Sequence, residues 1–166
     1  MKRILLLCAV VSWVLPACAD EAVMGEAADA ALQVTVKCDK KEYMHGEPGV
    51  VYIITPTGRL KATLTVANAS TKAHTLEFRS GQQYDFVIRD TKGKELKRWS
   101  AGRAFTDALQ EKVVAPGETL NFTDGLSLGE VGKPLPEGDY ILEGILTCHP
   151  PTSATTKFKI IPTPAR

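Results

Sequence analysis

Residues Tyr84–Arg89 alternate so that Tyr84, Phe86 and Ile88 fall on one face and Asp85, Val87 and Arg89 on the other. This is the period-2 signature of a half-buried strand. Asp90-Thr-Lys-Gly93 then supplies turn chemistry, and Leu96–Trp99 returns as a partner strand. A hairpin of this kind cannot bury its apolar face alone, so it commits the chain to finding further strands.

The rest of the sequence provides them. Leu32–Lys37, Val50–Ile54, Arg59–Ala67, Thr75–Phe78, Glu111–Val114, Thr119–Thr123, Tyr140–Leu146 and Thr156–Ile161 all read as short strands, most of them punctuated by Gly or Pro. Cys38–Gly49 reads as a polar connection, and Gly125–Pro136 as a long loop of the kind that carries binding or merely crosses over in solvent. No long amphipathic helical pattern is present, and Phe105–Leu109 has room for one helical turn. The expected fold is all-β, an immunoglobulin-like antiparallel β-sandwich of about eight to ten short strands.

Both ends of the chain lie outside that domain. Met1–Ala19 has Lys2 and Arg3, an apolar run from Ile4 to Leu15, and then Pro16-Ala17-Cys18-Ala19. This is the layout of a secretory signal peptide. Ala17-Cys18-Ala19 suits ordinary signal peptidase, whereas Leu15-Pro16-Ala17-Cys18 resembles a lipobox that would make Cys18 a lipidation site. Residues 20–31 read as a flexible tether, 32–161 as the domain and 162–166 as a tail. Export to the periplasm, the cell envelope or the medium follows as the expectation. Losing 19 of 166 residues leaves 147, with 18 basic and 19 acidic side chains, a net charge of −1. That is no footprint for nucleic acid, and any membrane contact is confined to the signal peptide or lipid anchor.

Of four cysteines, only Cys38 and Cys148 lie beyond the signal region. Both end predicted strands, and an oxidising compartment permits a bridge between them. Closing that loop of 111 residues would contribute roughly 4–5 kcal/mol. Two unpaired thiols are the competing reading. Met44-His45 and Cys148-His149 offer soft donors that suit copper, but this use of Cys148 conflicts with the bridge, so no metal site is assigned. The chain has no H-E-x-x-H, G-x-S-x-G, phosphate-binding glycine loop or C-x-x-C. No nucleophile is thereby named, so the chain is read as a non-enzyme with no cofactor assigned, and a monomer is expected. Asn68-Ala-Ser70 and Asn121-Phe-Thr123 match the glycosylation sequon, read as chance matches.

One block carries a family likeness. Leu-Thr-Val-Ala-Asn (64–68), Leu-Glu-Phe-Arg-Ser-Gly-Gln-Gln-Tyr-Asp-Phe (76–86), Arg-Trp-Ser (98–100), Phe-Thr-Asp-Ala-Leu (105–109), Pro-Gly-Glu (116–118) and Leu-Pro-Glu-Gly-Asp-Tyr-Ile-Leu-Glu-Gly (135–144) follow one another at spacings that resemble the intracellular proteinase inhibitor (BsuPI) family. The stretch between Gly46-Glu47-Pro48 and Leu64 is longer than that pattern. The resemblance implies a small all-β inhibitor of a serine protease. Its candidate inhibitory loop here is Ser100-Ala-Gly-Arg-Ala-Phe105, comprising Ser100, Gly102, Arg103 and Phe105, because Arg103 stands between small residues while Trp99 and Phe105 anchor the loop ends. An ordinary solvated arginine on a framework loop is the other reading of Arg103. At the level of function, the alternative is a non-inhibitory envelope binding or scaffolding module.

Overall fold

The computed structural model describes residues 32–44, 58–130 and 133–162, and in them twelve strands form. In chain order these are β1 (Gln33–Cys38), β2 (Glu42–Met44), β3 (Arg59–Ala67), β4 (His74–Phe78), β5 (Tyr84–Asp90), β6 (Glu95–Arg98), β7 (Gln110–Val114), β8 (Thr119–Ser127), β9 (Gly129–Glu130), β10 (Lys133–Pro134), β11 (Gly138–Leu146) and β12 (Thr152–Ile161). One sheet has the order β1-β3-β8 and the other β2-β12-β11-β5-β6, while β4–β7 and β9–β10 are separate two-stranded pairs. All pairings are antiparallel except that of β2 with β12. The protein is an all-β sandwich.

Alternation along β3 creates the core. Leu60, Ala62, Leu64 and Val66 are fully buried, and so are Phe86 and Ile88 of β5 and Leu142 of β11. Burying each such Leu, Ile or Phe contributes about 1.5–3 kcal/mol. The two large sheets approach closely at Gly144, where an added Cβ would lie 2.8 Å from both Leu64 Cδ1 and Val36 Cγ2. A glycine stands there because no side chain fits.

The structure revises four expectations. Strand β5 is buried on both faces, since Asp85 and Val87 are as inaccessible as Phe86 and Ile88. It is an inner strand of the five-stranded sheet, and its outer face is partly roofed by the chain that follows β6. The polar connection after Cys38 contains β2, whose Tyr43 is buried and donates its hydroxyl proton to Asp39 at 2.5 Å. Gly125–Pro136 is not a bare loop, because β8 continues through Ser127 and Leu126 and Leu128 enter the core. Phe105–Leu109 takes no helical turn. Val50–Ile54, the expected signal peptide (1–19) and tether (20–31), and residues 163–166 of the expected tail lie outside the described residues.

Candidate functional site

The Ser100–Phe105 segment is built on the β5–β6 hairpin. Asp90 organises the hairpin's own turn, its Oδ1 accepting from the Lys92 and Lys94 amides at 2.9 Å each. Beyond β6, the Trp99 amide still donates to Phe86 O at 2.8 Å, and then the chain doubles back. The Ala101 amide donates to Arg98 O at 3.3 Å and the Arg103 amide to Ser100 O at 3.0 Å. Gly102 has φ +75°, a left-handed conformation that glycine adopts without strain.

A buried carboxylate braces this turn. Asp85, 2% exposed, accepts at Oδ1 from the Ser100 amide (3.1 Å) and at Oδ2 from the Ser100 hydroxyl (2.7 Å) and Arg98 Nη1 (2.8 Å). The rest of the Arg98 guanidinium donates to both oxygens of Glu95, at 2.9 and 2.7 Å. Glu95 and then Asp85 hold Arg98 firmly in its charged form. The chain beyond the turn is fastened by the Gly81 amide, which donates to Thr106 O at 2.8 Å. Between these fixed ends, Ala101, Gly102, Arg103 and Ala104 are exposed.

Aromatic packing supports the turn from below. Trp99 stacks on Tyr84 with ring centres 4.7 Å apart and meets Phe105 at 5.9 Å, while Tyr84 also meets Phe122 at 5.1 Å. Arg103 lies back over this base, with Cζ 4.1 Å above the Trp99 ring and Nε donating to Trp99 O at 3.0 Å. Beside it opens a cleft of about 350 Å³ that Arg59, Lys97, Trp99, Arg103 and Leu126 help to line. Ser100, Gly102, Arg103 and Phe105 are thus brought together on one side of the sandwich.

The cysteines are not. Cys38 and Cys148 are free thiols, which corrects the expected bridge. Cys38 lines a small cleft with Thr156 and Lys157, whose partners on β11 are Leu142 and Ile141. Cys148 lies beyond Leu146 and pairs with Phe78. Four residues of β11, from Leu142 to Leu146, and two more beyond its end separate their levels, about 13 Å over the strand alone, against the ~7 Å limit for a disulfide. Burial and the neighbouring Asp39 push the Cys38 thiol up to about 11, and burial also raises Cys148.

The soft-donor constellation fares likewise. Met44 pairs with Ile161 at one end of β12, whereas Cys148 follows the Leu146–Thr152 pair at the other. His45 and Cys18 lie outside the described residues. Of the two sequon asparagines, Asn68 is buried and donates through Nδ2 to Lys72 O and Val114 O. An amide so engaged is closed to a glycan. Sequence reasoning missed the Asp85 brace, although an acid between Tyr84 and Phe86, with Arg98 and Ser100 across the hairpin, was its available sign.

The family profile described as BsuPI, intracellular proteinase inhibitor, matches residues 51–151. The chain belongs to the BsuPI family. No curated protein matches it in sequence. Among solved structures it is similar to a β-glucosidase from Erythrobacter marinus (14% identity, TM-score 0.43, 79% of this chain and 15% of that one). It is also similar to the sporulation control protein Spo0M of Bacillus subtilis (15%, 0.44, 81% and 50%). A third is the CARDB domain of PF1109 from Pyrococcus furiosus, described in complex with di-metal ions (13%, 0.41, 78% and 87%). The chain thus spans 15% and half of the lengths of the first two.

Proposed function

We propose that this BsuPI domain is an exported, non-enzymatic inhibitor of a trypsin-like serine protease, and that the Ser100–Phe105 turn enters the enzyme's cleft. The supporting observation is the Asp85 brace, which fixes the base of the turn while leaving Ala101–Ala104 exposed. A segment already held in shape loses little conformational entropy on docking. Arg103 must first leave Trp99, forgoing a cation–π contact of about 0.5–1 kcal/mol and a hydrogen bond of about 0.5–1.5 kcal/mol. Alanine truncation of an arginine anchor that faces a buried acid costs about 2 kcal/mol or more with reorganisation of this kind already included.

The test is inhibition of trypsin-like and subtilisin-like proteases at near-stoichiometric ratios, with the inhibitor recovered uncut. Arg103→Ala is expected to weaken inhibition at least about thirtyfold and to lower the melting temperature by only several degrees, through loss of its contacts with Trp99. Equal inhibition by both proteins would move the contact elsewhere. Export is tested by intact mass, with a mature chain that starts at Asp20, or at a lipidated Cys18.

One observation favours the scaffolding reading. Leu109 and Val113 are 85% and 59% exposed, and among the described strands β7 pairs only with β4. An open strand edge with apolar side chains is a place where a partner strand can add. Absence of inhibition across several protease classes, together with a partner lost on Val113→Lys, would select that reading.

A further inference from the structure

The cleft beside the turn holds three cations whose charge nothing in the described structure neutralises. Arg59 Nη2 donates to Gly125 O at 3.3 Å, Lys97 Nζ to Gly129 O at 2.8 Å and Arg103 Nε to Trp99 O at 3.0 Å. Each is positioned by a backbone carbonyl, and none meets a carboxylate among the described residues. A guanidinium has five N–H donors and an ammonium three, so most of their capacity is unspent. Neighbouring acids are already engaged. Asp85 and Glu95 take Arg98, while Asp124 accepts from two neutral donors, the Tyr84 hydroxyl at 3.3 Å and the Gly125 amide at 2.7 Å, and ion-pairs with none of the three cations among the described residues.

Other features give the cleft the character of a binding site. Gly125 lets the Arg59 guanidinium lie flat against the backbone, since an added Cβ would stand 2.9 Å from Nε and Nη2. The volume, about 350 Å³, is at the small end of the ~300–1,000 Å³ typical of ligand sites.

We infer that this cleft binds a short acidic segment of a partner polypeptide, whose carboxylates are met by Arg59, Lys97 and Arg103. The three cations come from β3, β6 and the turn, so they suit two or more carboxylates along a peptide better than one compact anion. A long polyanion is disfavoured, because the whole chain carries a net charge of only +1 and has no extended basic face to track it. The inference stands apart from the inhibitor reading, and Arg103 is left intact in its test.

The chain has two tryptophans, Trp13 and Trp99, so in the full-length Trp13→Phe protein all indole emission comes from the cleft. Hexaglutamate should change that emission saturably, with an affinity that falls as NaCl is raised. Arg59→Gln with Lys97→Gln should weaken binding at least about tenfold, whereas the charge-preserving pair Arg59→Lys with Lys97→Arg should keep it. Lack of saturation, equal binding by the Gln pair, or inorganic phosphate binding as tightly as the peptide would each overturn the inference. Parallel protease assays separate the two proposals. Peptide binding without inhibition sinks only the inhibitor reading, and inhibition without peptide binding sinks only this one.

Discussion

Replacing Asp85 by alanine should loosen the turn and lower the stability of the whole domain. The side chain is 3% exposed and lies 2.8 Å from Arg98, and its loss leaves the Ser100 amide and hydroxyl without their acceptor. Breaking a fully buried ion pair costs about 3–5 kcal/mol. Arg98, however, is 34% exposed and keeps Glu95, so solvent recovers part of that, and about 2–3 kcal/mol is expected. For a domain of this size the melting temperature should fall by roughly 10 °C, followed by circular dichroism. Asp85→Asn, which keeps an acceptor for Ser100 but not the charge, should lose about half as much. A cycle with Arg98→Ala should show a coupling of about 1 kcal/mol or more. Limited proteolysis supplies the local readout, with cleavage between Ser100 and Phe105 accelerated in Asp85→Ala. A loss below about 0.5 kcal/mol, the size of an ordinary surface substitution, would refute the claim that this carboxylate braces the turn.

Much of the sandwich was legible because strand alternation is local. Arg59–Ala67 is read from Leu60, Ala62, Leu64 and Val66 alone, and β3 has those bounds. What escaped depends on partners far along the chain. Nothing near Tyr43 announces that Lys159–Ile161 will lie beside it, so a three-residue strand looked like a connection. Asp85 looked solvated because its face of β5 is covered only once the chain beyond Trp99 folds back. The cysteine pair failed for a related reason. That both end strands is visible in the sequence, but which ends of the sandwich they occupy is set by register. The turn itself was found as a loop between aromatics, while the cationic cleft needed β3, β6 and β8 to be brought together.

The thiols offer a direct check, since Cys38 and Cys148 should both be alkylated on unfolding without reductant. In the folded protein at about pH 8, Cys38 should react slowly, because a thiol pushed up to about 11 is scarcely ionised there. Glu95 carries a pH dependence. The hydrogen bonds from Arg98 hold its carboxyl below the ordinary 4.5, so its contribution is present above that value and lost as pH falls through the depressed one. Glu95→Gln should therefore flatten the acid side of a denaturant-midpoint curve, and an unchanged slope would contradict the pairing. Gly144→Ala tests the contact between the sheets. Its Cβ would meet Leu64 and Val36 at 2.8 Å, and because both neighbours are core side chains held by their own packing, about 1–3 kcal/mol should be lost. Gly102→Ala is the control, with open space around it but φ +75°, so only backbone strain of about 1 kcal/mol opposes it. If the two cost the same, the sheets at Gly144 are separated widely enough to admit a methyl group, and the close approach is not what holds that position to glycine.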